Sequence, residues 1–221
     1  MGNEFSIEEE QSQFIKEFKQ KYDFYTEQND KRFGDIYIYK HKTEKKYITQ
    51  RELFRRRDSQ EFFSEPEIWY LLDSLIQACS YLEKHKIYHG DLRPVNIILT
   101  PEGFVKIADH GILHVDQTNY HKSLTKKEKS YLSPILMRSL AQRELRPLHD
   151  FAKSDVYSLG MTILEAASLS NPMCCYDYNS LMISHPIIEE LLVKCRFRYS
   201  EFFVNFIKDM LLDDENLRPS F

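Results

Sequence analysis

Three side chains able to offer oxygen to a cation stand close together in the sequence: the carboxylates of Asp91 and Asp109 and the carboxamide of Asn96. Oxygen donors of this kind suit a hard divalent cation. Arg93, two residues from Asp91, adds a planar and permanently charged guanidinium. Each residue also has an ordinary use. Asp91 can cap a turn, Asn96 can open a strand and Asp109 can close a hairpin. Their order and spacing are what point to chemistry: Ile87-Tyr88-His89-Gly90-Asp91-Leu92-Arg93-Pro94-Val95-Asn96 is followed, thirteen residues after Asn96, by Asp109-His110-Gly111.

Such groups act together only if the elements around them bring them to one point. Asn96 to Leu99 and Phe104 to Ile107 are rich in strand formers, and Thr100-Pro101-Glu102-Gly103 between them suits a tight turn, so a hairpin is expected between Asn96 and Asp109. Upstream lies the clearest helix signal in the chain. Ser64 is a good N-cap, Pro66 falls in the first turn, Glu67 completes a capping box, and Ile68, Leu71, Leu72, Leu75, Ile76, Cys79 and Leu82 form one apolar stripe. Downstream, Val156, Leu159, Ile163 and Leu164 predict a helix from Asp155, and Phe203, Phe206, Ile207, Met210 and Leu211 predict another. Near the N-terminus, Ser6 and Glu9 suggest a capped helix running to about Tyr22. Residues 23–33 read as a polar connector. Alternation in Ile36-Tyr37-Ile38-Tyr39 and again in Tyr47-Ile48-Thr49 predicts a hairpin across Lys40 to Lys46.

Taken together these motifs resemble the protein kinase family, whose catalytic loop reads H-R-D-L-x-x-x-N and whose metal loop reads D-F-G on either side of a short hairpin. The resemblance implies that Asp91 is the base facing the substrate hydroxyl, with Arg93 near the transferred phosphate. It implies that Asn96 and Asp109 hold magnesium and ATP. Phe63-Ser64-Glu65-Pro66-Glu67-Ile68, Tyr131-Leu132-Ser133-Pro134, Lys153-Ser154-Asp155-Val156-Tyr157-Ser158-Leu159-Gly160 and Leu217-Arg218-Pro219 are similar to further family motifs, so the likeness covers roughly residues 61–221. In that family the aspartate matched by Asp155 pins the catalytic loop. The expected fold class is α+β, a kinase-like and mostly helical C-lobe over 61–221. An abbreviated N-lobe hairpin over 33–60 and a helical arm with connector over 1–32 precede it.

The departures from the family pattern are as informative as the matches. Gly90 stands in place of the catalytic-loop arginine, so a phosphate on the activation segment lacks its usual charge partner. Arg93 replaces a lysine, His110 replaces the metal-loop phenylalanine, and Ile135 stands where the family carries a glutamate that pairs with the arginine matched by Arg218. Arg218 is therefore expected to be exposed or paired elsewhere, for instance with Glu144. Upstream no G-x-G-x-x-G occurs. In one alignment residues 33–51 supply two strands, Phe33-Gly34 ends a degraded phosphate loop, and Arg51 or Gln50 takes the place of the strand lysine that holds ATP. In the other, Glu52-Leu53-Phe54 opens the helix after the hinge and the lysine strand is absent. About forty residues between Arg51 and Asp91 are too few for the elements a kinase carries there, so either the fold is reduced or a segment is missing.

Composition sets the remaining limits. A length of 221 residues, 42% hydrophobic and 29% charged, is that of one principal globular domain. No apolar run is long enough to span a bilayer. A net charge of -4 without a polybasic block argues against nucleic acid as a partner. Four cysteines lack metal-site spacing and no secretory leader is seen, which predicts a reducing, cytoplasmic setting. Met1-Gly2-Asn3-Glu4-Phe5-Ser6 fits N-myristoylation of Gly2, and one acyl chain beside Glu8, Glu9 and Glu10 predicts only weak, reversible membrane contact. The expected function is that of a pseudokinase or weakly active kinase. It would serve as a binding module for a protein partner or substrate, with a residual Mg-ATP site. The alternatives are an active Ser/Thr kinase and a structural subunit of a larger assembly.

Overall fold

The computed structural model describes residues 22–30, 34–41, 47–99, 103–108 and 118–221. The chain separates into two compact units, residues 1–46 and 47–221. In the first, β1 (Tyr22–Asp30) and β2 (Gly34–His41) form an antiparallel hairpin, with Phe24 opposite Tyr39, Gln28 opposite Ile36, and a bulge between Phe24 and Thr26. This corrects two expectations. The connector at 23–33 is largely strand, and Ile36 to Tyr39 pair with it rather than with Tyr47 to Thr49. The cause is that a ladder partner decides strand formation more than side-chain polarity does, so a polar stretch can be held by its neighbour's main chain. The N-terminal helix expected as far as Tyr22 lies outside the described residues, apart from Tyr22 itself, which begins β1.

The second unit opens with β3 (Tyr47–Ile48), which joins β4 (Ile97–Leu99) and β5 (Val105–Ile107) in an antiparallel sheet of order β3-β4-β5. Ile98 faces both Ile48 and Lys106 across the two ladders. The β4–β5 hairpin is the one predicted between Asn96 and Asp109, and Gly103 at its turn has φ +89°. Helix α1 (Thr49–Ser59) follows β3 directly. Gln50, Arg51, Glu52 and Leu53 are all good helix formers, which explains why the strand stops at Ile48.

Helix α2 (Glu65–Lys84) starts as predicted: the Glu67 amide donates to Ser64 Oγ and the Ser64 amide donates to Glu67 Oε2 at 2.7 Å. Its buried face is Ile68, Leu71, Leu72, Leu75 and Cys79. Among the described residues, four α-helices follow the β4–β5 hairpin before the C-terminal one. They are α3 (Asn119–Lys126), α4 (Pro134–Gln142), α5 (Phe151–Ser168) and α6 (His185–Arg196), and α7 (Glu201–Met210) completes the set. A short hairpin of β6 (Tyr176–Asp177) and β7 (Met182–Ile183) lies between α5 and α6.

Helix α5 was expected to bury one stripe; instead nearly every residue from Ala152 to Ser168 is buried, so it runs through the middle of the unit. A helix enclosed on all sides must satisfy its polar groups internally. Ser158 Oγ donates to the Tyr131 carbonyl at 2.7 Å and Thr162 Oγ1 to the Leu92 carbonyl at 3.3 Å, which ties the neighbouring loops to the helix. Glycine at position 160 is required by packing, since a Cβ there would meet Leu211 Cδ2 at 2.9 Å and Met210 Cβ at 3.0 Å.

Arg218 corrects another expectation. It is neither exposed nor paired with Glu144 but only 2% accessible, donating to the carbonyls of Leu212 (2.6 Å), Lys153 (3.0 Å) and Asp213 (3.0 Å). Its guanidinium also stands 5.0 Å from the centre of the Tyr157 ring. Three main-chain acceptors and an aromatic face take the place of a carboxylate partner, and the planar fork makes that possible.

Candidate active site

The loop between α2 and β4 is held from beneath by one carboxylate. Asp155, near the start of α5, accepts from the His89 amide at 2.7 Å and the Gly90 amide at 2.9 Å. Burial raises its carboxyl to about 7, partly opposed by those two amides and reinforced by the nearby charge of Asp91. His89, fully buried, links the two halves of the site. Its Nδ1 accepts from the Asp91 amide at 3.2 Å, so the proton sits on Nε2 and is donated to the Ala108 carbonyl at 2.5 Å. Ala108 in turn donates its amide to the Asn96 carbonyl at 2.7 Å. The backbone before Asp109 is thereby fixed to the loop that carries Asp91 and Asn96.

Asp91 is 1% accessible, yet its carboxylate is crowded with charge. Arg93 Nε lies 2.8 Å from Oδ1, an ion pair whose N–H is not aimed for a hydrogen bond. Arg93 also donates through Nη2 to Oδ2 at 3.1 Å, and Lys122 Nζ donates to the same oxygen at 2.8 Å. A second carboxylate, Glu128, accepts from Arg93 Nη2 at 2.6 Å. Burial works against the Arg93 charge, but Asp91 and Glu128 outweigh it and hold the guanidinium protonated. The result is a compact cluster of two cations and two carboxylates centred on Asp91.

Asn96 ends a 3-10 turn over Pro94–Asn96, is 3% accessible, and donates Nδ2 to the Asp91 carbonyl at 2.7 Å. With its nitrogen committed, the carboxamide oxygen is the group left to face a cation. Asp91, Arg93 and Asn96 are therefore brought together, while Asp109, His110 and Gly111 lie outside the described residues. Arg51 is on helix α1 and not on a strand, which corrects its assignment to the place of an ATP-holding strand lysine; the alignment that opens a helix near Glu52 is the one the secondary structure follows.

Lys122 and Glu128 were not found from the sequence. Both belong to α3 and the residues after it, 31 and 37 positions beyond Asp91 (122 − 91 and 128 − 91). Thr118, which caps α3 by accepting from the His121 amide at 3.2 Å, is the local signal for the helix that carries Lys122. No sequence signal shows which carboxylate that lysine reaches.

Deeper in, Tyr131 donates its hydroxyl to Glu165 on α5, and Arg57 on α1 donates to Glu165 Oε1 at 3.2 Å and to the Leu169 carbonyl at 2.7 Å. Burial raises the Glu165 carboxyl above the usual range, with the tyrosine and arginine pulling the other way. This set anchors the segment before α4, so the loops that frame Asp91 from both sides rest on α5.

Comparison with known proteins gives the same class. A family model described as protein kinase domain matches residues 33–221, and the chain belongs to the protein kinase family. Dual specificity protein kinase zak2 of Dictyostelium discoideum is 33% identical over 184 residues, 83% of this chain and 25% of that protein. Serine/threonine-protein kinase dst2 of the same organism is 26% identical over 157 residues, 71% of this chain and 13% of that protein. Putative serine/threonine-protein kinase B of Trypanosoma brucei brucei is 27% identical over 166 residues, 72% of this chain and 35% of that protein. The chain thus spans between 13% and 35% of the length of these relatives. As a family, protein kinases use ATP with magnesium and act on protein hydroxyls.

Proposed function

We propose that this chain is a kinase domain whose catalytic centre is held in an attenuated state, so that it acts chiefly as a binding module for a protein partner. One observation carries the reading: both oxygens of Asp91 are occupied by the chain's own cations, Arg93 and Lys122. A general base must have a free lone pair within reach of the proton it accepts. Asp91 Oδ2 accepts from both Arg93 and Lys122, and Oδ1, which accepts no hydrogen bond, is buried against Arg93 Nε at 2.8 Å, so neither oxygen stands open to a substrate hydroxyl while these cations stay in place. Arg93, expected to face a transferred phosphate, is committed to Asp91 and Glu128 instead.

The residues present fit a nucleotide-bound magnesium in part. The Asn96 carboxamide oxygen is unused by any internal bond among the described residues, and it would hold the ion together with Asp109. When bound, magnesium would neutralise phosphate charge. Asp91 and Arg93 would then orient the hydroxyl and the phosphoryl oxygens only after Lys122 and Glu128 release them.

A second reading, an active Ser/Thr kinase, draws on the frame around the loop. His89, Asp155 and the amide of Asn96 hold Asp91 and Asn96 in fixed backbone positions, the preorganisation that phosphoryl transfer needs. Transfer of radiolabelled phosphate from Mg-ATP to a protein substrate, with Asp91→Ala as control, separates the two. The first reading expects Asp91-dependent transfer to be absent or far below the roughly 1–100 per second of ordinary kinases. Transfer within that range would establish the second. A rise in melting temperature with millimolar Mg-ATP is expected if the residual nucleotide site is real. A cytoplasmic setting with weak membrane contact through acylated Gly2 belongs to the same proposal, and the intact mass of the native protein checks the acyl group.

A further inference from the structure

A cavity of about 410 Å³ opens beside the loop that carries Asp91, and it is lined by Tyr88, Gly90, Asn119, Tyr120, Phe151 and Asp155 among others. Its size falls in the range of small-molecule sites, roughly 300–1,000 Å³. Gly90 keeps one wall bare. Its φ is +71°, a conformation that disfavours any side chain, and a Cβ there would meet Thr118 Cγ2 at 3.0 Å.

Three aromatic rings, those of Tyr88, Tyr120 and Phe151, share the walls with Leu136, Leu145 and Pro147. Tyr88 and Phe151 stack with centres 5.5 Å apart, and Tyr120 is buried with its hydroxyl donated to the Glu144 carbonyl at 2.5 Å. The hydroxyls of Ser154 and Ser158 are likewise engaged, with His149 and with the Tyr131 carbonyl. Tyr88, His121, His149 and Arg146 also line the cavity, and two further groups can act as acceptors toward a guest. The Asn119 carboxamide makes no hydrogen bond to any described residue although Asn119 is only 4% accessible. Asp155 is held by two amides, and no lysine or arginine among the described residues pairs with it.

Aromatic faces and a carboxamide oxygen favour a positive guest, and so does Asp155 in its ionised form, which has no lysine or arginine partner among the described residues. His149 does not oppose one, because burial disfavours its charged form. Arg146, at the rim, is exposed to solvent, where water and salt screen it. We propose that this cavity is a binding site for a small aromatic monocation, of the aryl amidine or arylalkylamine class, with its ring among Tyr88, Tyr120 and Phe151 and its charged head toward Asn119 and Asp155.

Calorimetric titration of the whole chain with benzamidine, benzamide and benzoate, which share shape and differ in charge, tests this. Benzamidine should bind about tenfold more tightly than benzamide, the size of one desolvated cation–aromatic contact, and benzoate should bind most weakly. Phe151→Ala, at a residue 53% exposed, removes a wall without touching the interior and should weaken benzamidine about fivefold or more. Asn119→Asp places an acid in the first turn of α3, where a helix tolerates it, and should tighten benzamidine several-fold. Equal affinity for the three compounds, a preference for benzoate, no measurable heat with any of them, or benzamidine binding that ignores both substitutions would each overturn the proposal.

Discussion

The body of the second unit and its catalytic loop use buried charge in opposite ways. In the body, Arg218 spreads one guanidinium over three carbonyls and the Tyr157 ring, and Glu165 is shared between Tyr131 and Arg57. Charge there joins segments and has no further work to do. At the loop, Asp91 has more cations than it needs, because Arg93 and Lys122 converge on a single carboxylate. The difference teaches that buried charge in the second unit ties segments together in the body and gathers on one carboxylate at the loop.

Asp155 joins the two regions, and its titration is the largest effect expected. A carboxyl raised to about 7 in the folded chain, against an unfolded value of about 3.9, contributes stability that is full below about pH 4 and is lost as the pH rises through about 7. The unfolding free energy of wild type minus that of Asp155→Asn should therefore fall by up to about 4 kcal/mol between about pH 4 and about pH 7. Urea titrations across that range measure it, and a flat difference would mean that the joint carries no buried proton.

Next in size is Arg218→Met. It strands three buried carbonyls, and a loss of roughly 3 kcal/mol is expected in chemical denaturation at neutral pH. A loss under about 1 kcal/mol would place the body's charges among the dispensable ones. Gly160→Ala should cost about 2 kcal/mol by pressing on the buried side chains of Met210 and Leu211. The smallest effect is that of Arg57→Ala. It removes a half-exposed partner of Glu165 and the bond to Leu169, so about 1 kcal/mol is expected, with binding and transfer unchanged.

Much of this arrangement was legible in the sequence where local chemistry decides it. The capping box at Ser64 and Glu67, the β4–β5 hairpin and the apolar positions of α5 and α7 all follow from turn residues and periodicity. Asp91, Arg93 and Asn96 were legible because they fall within ten residues of one another on a single loop. What failed depends on contacts distant in the chain. The pairing of β1 with β2 was hidden because polar residues can form a strand when a ladder is supplied by a neighbour. Arg51 was misplaced because two alignments fitted a short and unusual stretch, and helix propensity after Ile48 settled which one holds. Lys122 and Glu128 were invisible because nothing in a lysine or glutamate 31 or 37 residues away announces the side chain it will meet. Arg218 was misread because a missing glutamate suggested an exposed or newly paired charge, whereas main-chain carbonyls can satisfy a buried guanidinium.

The most direct measurement is phosphoryl transfer from Mg-ATP by wild type and by Lys122→Met, each beside its Asp91→Ala counterpart. Freed of Lys122, Asp91 Oδ2 keeps only the longer bond from Arg93 and opens to a substrate hydroxyl, and Asp91-dependent transfer should rise by about tenfold or more over a low wild-type level. Robust Asp91-dependent transfer by the wild type, left unchanged by Lys122→Met, would contradict the account of a carboxylate locked by its own chain.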